Sequence, residues 1–319
     1  MLHVMLPAYG DDVWVRQAII SVREQDDPRW RLTVLDDGPA AGRDPGLADW
    51  LRELGDARIR YQAHSQRLGI NRNFQRCVDA SAVHASAADL VVILGADDRL
   101  LPDFVGRVLR VAEQFPGAAF LHTGARIVDG AGAPVMPLVD RVKRLSSIRA
   151  LGGPLETGGQ RLAASLLRGN WMYFPSVVFR RDCLVEHGFR PGYDVVQDLD
   201  LYLRILRAGG SVVLLDRPGI EYRRHAASVS SAGAVDGSRF AEERRYFAEA
   251  AAAMTRAGWP GAARAARWHL TSRLHALVKA AGLVAGGDWP AAGRMLRGTL
   301  TPLPPPAPTP AEDHGAATR

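Results

Sequence analysis

Apolar positions in the first third of the chain form short runs separated by stretches of helical periodicity. The run HVML (3–6) predicts a strand, and DVWVRQAIISVREQ (12–25), apolar at intervals of three and four, predicts an amphipathic helix. RLTVLDDG (31–38) predicts a second strand ending in two acids and a glycine, followed by a helix at GLADWLREL (46–54) and a strand at RIRYQAH (58–64). A helix at INRNFQRCVDAS (70–81) and a strand at LVVIL (90–94) complete the series. Strands alternating with helices imply βαβ units, so the expected class is α/β with a Rossmann-like, mainly parallel sheet flanked by helices. Such sheets bind ligands beyond the carboxyl ends of their strands. Two aspartate pairs, Asp36-Asp37 and Asp97-Asp98, follow predicted strands and are expected to face one cleft.

Beyond this series the pattern loosens. Residues 124–160, rich in Gly and Pro with scattered Arg, predict long loops over the cleft. YFPSVVFRR (173–181) predicts a strand, VVQDLDLYLRILRAGG (195–210) an acidic loop opening a helix that stops at Gly-Gly, and SVVLLD (211–216) another strand. Residues 239–299 are Ala-rich and helical in pattern, broken at GWPG and GGDWP. The tail from Thr301 is Pro-rich and then polar, a composition that predicts disorder. The expected division is an α/β domain over 1–235, a helical C-terminal extension over 236–300 and the tail over 301–319.

With 47% apolar and 23% charged residues the composition is that of an ordinary globular protein able to bury a sizeable core. The net charge of +6 is dispersed among arginines, without the dense basic block of a nucleic-acid binder. That bias suits an anionic ligand such as a nucleotide diphosphate, or a membrane surface, and also simply favours solubility. Cys77 and Cys183 are far apart and outside any CxxC, so the expectation is two buried thiols in a reducing compartment. The amino-terminal MLHVMLPAYG lacks the pattern of a secretory signal, and no apolar run reaches the roughly 18 residues of a membrane span. The expected location is cytoplasmic, with contact at the inner face of a membrane as a further reading.

The chemistry concentrates in DLVVILGADDRLLPDF (89–104), where a buried-looking strand runs into two adjacent carboxylates. Ionised carboxylates there are costly unless paired, hydrogen-bonded or bound to a cation. A hard divalent ion is commonly held by one or two carboxylates together with substrate phosphates. The plainer reading makes Asp98 a cap for the next helix.

The order of VMLPAYG, AIISVREQ, LTVLDDG, LGINRNF and LGADD, followed by VQDLDLYLRILRAGG and EYRRHAASVS, resembles the family 2 glycosyltransferases of GT-A fold over residues 1–231. The resemblance implies an inverting enzyme that takes a UDP- or TDP-sugar, uses Mg²⁺ or Mn²⁺, and glycosylates a glycan, a lipid-linked or a small-molecule acceptor. By the same resemblance Pro7 and Tyr9 line the base, Asp36 and Asp37 bind base and ribose, and Arg67 approaches the base. Asp97 contacts ribose or sugar, Asp98 is the main metal ligand, and His225 lies by the diphosphate or metal. Asp198 is the catalytic base. Arg223 and Arg224 are candidates for the diphosphate, and Trp171 for the acceptor pocket. Three positions depart from the pattern: Gly10 for Asn, Pro39 for Ser, and Gln197 for the acid preceding Asp198.

Each residue also has a structural reading: Asp198 as a helix cap, Asp200 as a first-turn acid, the two arginines as surface charges, Trp171 as a loop anchor. Competing functions are a sugar nucleotidyltransferase, for which PAYGDDVW lacks the Gly-rich, Arg-containing loop, and a non-catalytic membrane-surface or scaffold module, which would be expected to lose Asp98 or Asp198. The basic, apolar stretch RWHLTSRLHALVKAAGLV suits packing on its own domain, a homodimer contact or peripheral contact with a membrane.

Overall fold

The computed structural model describes residues 1–10, 12–37, 46–225 and 238–269, with scattered positions between 273 and 296. The expected tail, the segment following His225 and Gly38-Pro39 lie outside the described residues.

A central strand β1 (Leu2–Ala8), buried along its whole length, lies between β2 (Trp30–Asp36) and β4 (Leu90–Ile93) and pairs parallel with both. Continuous burial requires the continuous apolar run seen in the sequence, because both faces of the strand are covered. Alternation assigns the faces. Val4 and Leu6 meet α1 (Asp12–Arg23) and α4 (Phe104–Gln114), while Met5 joins the core formed with α3 (Ile70–His84). With β3 (Ile59–Ala63), β6 (Phe120–His122), β8 (Leu155–Gly158), β9 (Val177–Arg180) and β10 (Ser211–Leu214), an eight-stranded sheet forms in the order β3-β2-β1-β4-β9-β6-β10-β8. Strands β8 and β9 run antiparallel to their neighbours and the rest pair in parallel, so the sheet is mainly parallel as expected. The helix α2 (Gly46–Leu54) follows β2.

Residues 124–160 are not the long loops their composition suggests. They contain β7 (Ala125–Val128), α5 (Leu138–Ser146), β8 and the start of α6 (Gly159–Arg168). Strand β7 joins β5 (Arg99–Leu100) and β11 (Ile220–Arg223) in a small second sheet, which holds the ends of two cleft segments together. The strand expected at 173–181 is shorter, since a 3₁₀ turn at Phe174–Ser176 precedes β9. The helix α7 (Arg181–His187) follows directly, and α8 (Gln197–Arg207) ends at Gly209-Gly210. Cys77 is buried and Cys183 half-buried, both as free thiols.

The C-terminal helices α9 (Ser238–Arg256) and α10 (Pro260–Trp268) pack on each other and on α6. Tyr246, Phe247, Met254, Ala262 and Ala266 belong to the same core as Leu201 and Tyr202 of α8. Among the described residues no helix is long and apolar enough to cross a membrane.

Candidate active site

At one end of the cleft, β1 runs out through buried Pro7 and leaves Tyr9 40% exposed. Arg67 donates from Nη2 to the Tyr9 hydroxyl at 2.8 Å, and its guanidinium carbon lies 4.6 Å from the ring centroid. The open ring and the cation above it form a flat, polarisable surface suited to an aromatic base. The two acids that end β2 are buried beside it. Asp36 accepts a hydrogen bond from the Tyr61 hydroxyl at 2.9 Å. Asp37 accepts the backbone N–H groups of Leu68 at 2.6 Å and Gly69 at 3.1 Å, which ties the turn before α3 to the strand end. Gly69 sits at φ 83°, a left-handed conformation that glycine adopts without strain.

The second aspartate pair folds back over the end of β4. A Cβ at Gly95 would collide with Asp98 Oδ2 and crowd Asp97 Oδ1, so only glycine admits both carboxylates there. Asp98 is 1% exposed, and its Oδ1 accepts the Arg223 N–H at 2.9 Å. Burial, reinforced by the neighbouring Asp97, raises its pKa well above the ordinary carboxylate value. Asp97 Oδ2 lies 2.8 Å from His225 Nε2, and the imidazole packs 4.4 Å from the Trp14 ring. This is a set of hard oxygens with one imidazole, crowded enough in negative charge to favour a cation. Among the described residues no three His, Cys, Asp or Glu side chains are placed to hold a metal ion together, so a bound ion would need oxygens from its ligand. Carboxylate oxygens of this kind are chemically suited to Mg²⁺ or Mn²⁺, with Asp98 the residue that the sequence resemblance assigns to the ion.

Arg223 and Arg224 are committed within the fold. Arg223 donates to the Asp97 carbonyl at 2.9 Å, to the Gly130 carbonyl at 2.8 Å and to Gln17 Oε1 at 2.8 Å. Arg224 pairs with buried Asp140 of α5 at 2.7 Å, and Asp140 also accepts the Tyr173 hydroxyl at 2.7 Å. The two arginines hold β11 to α5 and to the loop after β7.

Asp198 stands in the first turn of α8. Its Oδ1 accepts the Leu199 N–H and its Oδ2 accepts Asn170 Nδ2, both at 2.7 Å. Part of the residue reaches the surface, but the carboxylate is deep enough that desolvation raises its pKa, opposed by these hydrogen bonds and the charge of Lys143. Gln197, where the family pattern has an acid, is buried and accepts Asn71 Nδ2 at 3.1 Å, so its amide oxygen serves as an acceptor in that place. Asp200 is buried in ion pairs with Arg204 at 2.8 Å and Arg190 at 3.2 Å. Trp171 is 3% exposed, donates to Ser165 Oγ at 3.1 Å and meets the His122 ring edge-on. It anchors the loop beneath the site, and its burial does not suit the acceptor contact suggested by the sequence.

Two functional neighbours had no signal in the sequence pattern. Asn170 precedes Trp171 in GNWMYF and is the side chain of that segment that reaches Asp198. Glu242, far along the chain on α9, accepts the N–H groups of Asp194, Val195 and Val196 at 3.1, 2.7 and 3.0 Å. It thereby places a carboxylate against the amino-terminal end of α8, where backbone donors lack partners.

Residues 3–152 match the family described as Glycosyl transferase family 2. The chain is 26% identical over 242 residues to the O-antigen biosynthesis protein RfbC of Myxococcus xanthus, a match covering 73% of this chain and 16% of that protein. The chain thus spans less than a fifth of that relative's length. Among solved structures, Staphylococcus aureus TarS 1-349 in complex with UDP-GlcNAc superposes with a TM-score of 0.62 at 13% identity, covering 93% of this chain and 81% of that one. The mannosyltransferase PcManGT from Pyrobaculum calidifontis, in complex with GDP-Man and Mn²⁺, gives a TM-score of 0.56 at 16% identity over 93% of this chain and 79% of its own. At these identities the structural matches establish the fold, which is GT-A.

Proposed function

We propose that this chain, of GT-A fold and matching Glycosyl transferase family 2 over residues 3–152, moves a sugar from a nucleoside-diphosphate donor to an acceptor hydroxyl, with inversion at the anomeric carbon. The observation that carries this reading is the setting of Asp198. Its carboxylate is oriented by Asn170 and by the helix backbone, and burial makes it a stronger base than an ordinary aspartate. The acceptor oxygen attacks the anomeric carbon as its proton passes to Asp198. The bond from that carbon to the phosphate oxygen breaks, and the nucleoside diphosphate leaves with the electron pair. One base and one displacement give inversion.

In this reading Tyr9 and Arg67 hold the base of the donor, and Asp36 and Asp37 shape the floor around the ribose. A divalent cation held by Asp98, Asp97 and His225 supplies positive charge against the leaving diphosphate when bound. Gly95 keeps the two carboxylates at the strand end. The likenesses to TarS with UDP-GlcNAc and PcManGT with GDP-Man support a nucleotide-sugar donor but leave the sugar and the acceptor open. The test is a panel of UDP-, TDP- and GDP-sugars offered with Mn²⁺ and with EDTA, read as release of nucleoside diphosphate. Release from at least one donor, with the anomeric proton of the product inverted by NMR, is expected. Release with retained configuration would overturn the assignment of Asp198 as a base in a single displacement.

A further inference from the structure

The helix α5 is turned inside out relative to an ordinary surface helix. Asp140 is its only buried residue, clamped inward by Tyr173 and Arg224. At about 100° per residue, Leu138, Val142 and Leu145 fall on the opposite side. Their exposures are 70%, 36% and 86%, and Val139 beside them is 45% exposed. Met136 before the helix and Leu151 after it continue the apolar surface. Of the sixteen large hydrophobic residues exposed among the described residues, seven lie between positions 136 and 155. Such concentration on one segment marks a surface that is covered by something else.

The charges around this stripe identify the partner. Arg141 lies beside the stripe, Arg144 and Lys143 lie farther round α5 on either side of Asp140, and Arg149 follows just beyond the helix. The only acid between 136 and 155 is Asp140, which is buried and paired with Arg224. A second copy of the chain would bring like charge against like. An aliphatic stripe edged by cations is the pattern of a helix lying in a bilayer interface, with its apolar side chains among the acyl chains and its cations at anionic headgroups.

We propose that α5 docks this protein on an anionic lipid surface through Leu138, Val142 and Leu145, with Arg141, Arg144 and Arg149 at the headgroups. The docked face borders the cleft, since Lys143 lies 4.7 Å from the Tyr173 ring and Tyr173 packs 5.0 Å from Tyr222. Docking would therefore bring the lipid surface toward the Asp198 site, whose carboxyl feels the charge of Lys143. The docking does not depend on the catalytic reading. Only the inference that the acceptor is presented from that surface rests on it.

The test uses the full chain and vesicles of phosphatidylcholine, alone or mixed equally with phosphatidylglycerol, in a co-sedimentation assay. Binding to the mixed vesicles, weakened by salt, is expected, with little on phosphatidylcholine alone. A Leu138→Glu, Leu145→Glu double variant should bind at least tenfold more weakly. An Arg141→Gln, Arg144→Gln variant should lose most of the preference for anionic vesicles. Both pairs are exposed, so melting temperature and the shift produced by nucleoside diphosphate should match wild type, which separates failed docking from failed folding or donor binding. Equal binding by wild type and the leucine variant would overturn the proposal, as would absence of binding to anionic vesicles. A concentration-dependent dimer in sedimentation velocity that the leucine variant abolishes would instead assign the face to a second copy.

Discussion

Two aspartates separated by one residue have opposite surroundings. Asp198 keeps a carboxylate with no cationic partner in contact among the described residues, bonded to Asn170 and the helix backbone, while Asp200 is locked between Arg190 and Arg204. Asp198→Asn should therefore lower kcat by roughly 10²-fold or more with little change in donor binding, measured by steady-state kinetics beside nucleotide titration. The fold should tolerate it, because the buried Oδ1 of Asn170 has no partner among the described residues and an amide flip would let it accept from the new Asn. Asp200→Asn should instead destabilise by about 2 kcal/mol, read by urea unfolding, while its folded fraction retains transfer activity. The raised pKa of Asp198 has a signed consequence. The base is available only above the ordinary aspartate range, so kcat/KM should fall on the acid side at a pH higher than about 4. For stability the sign is reversed. A carboxyl whose folded pKa is raised contributes fully below the unfolded value, and that contribution disappears as pH rises through the folded one. The Asn variant should lack this loss in unfolding measured across the same range.

Elements were readable where their apolar positions face their own core. Strands β1, β2 and β4 and helices α1 and α3 follow the period of the chain because both sides of the sheet are covered. The helix α5 was hidden for the opposite reason, since it buries an aspartate and presents leucines outward. The small sheet was also hidden, because its strands are two to four residues long and joined only by distant pairing. At the site, the carboxylates at strand ends were legible from local order. The contacts at the start of α8 were not, because Asn170 reaches Asp198 and Glu242 reaches the Val195 and Val196 N–H groups across long stretches of chain. The Glu242 contact is an interaction between elements, and its removal tests how far α9 supports α8. Glu242→Ala leaves three backbone donors without a carboxylate and should destabilise by about 1–2 kcal/mol in urea unfolding. If the start of α8, which bears Asp198, loosens with the loop before it, kcat falls more than KM changes, and Glu242→Gln, which keeps an acceptor oxygen, restores part of it.

Taken whole, the molecule sets an open aromatic platform at one end of the cleft and a crowd of carboxylates farther along it. Asp97, Asp98 and a diphosphate repel one another without a cation between them. Nucleoside diphosphate should therefore raise the melting temperature strongly with Mn²⁺ and only weakly in excess EDTA. Equal shifts in the two conditions would remove the metal from Asp98. The shared core of α6, α8, α9 and α10 carries a lesson for anyone cutting or recombining this chain. The change in composition near residue 235 invites truncation there, as though a spare module followed. A chain ending at that point would expose the faces that Tyr246, Phe247, Met254 and Ala262 now cover, and would take Glu242 from the start of α8. The minimal unit for expression, for grafting onto another transferase or for directed evolution therefore extends at least through α10.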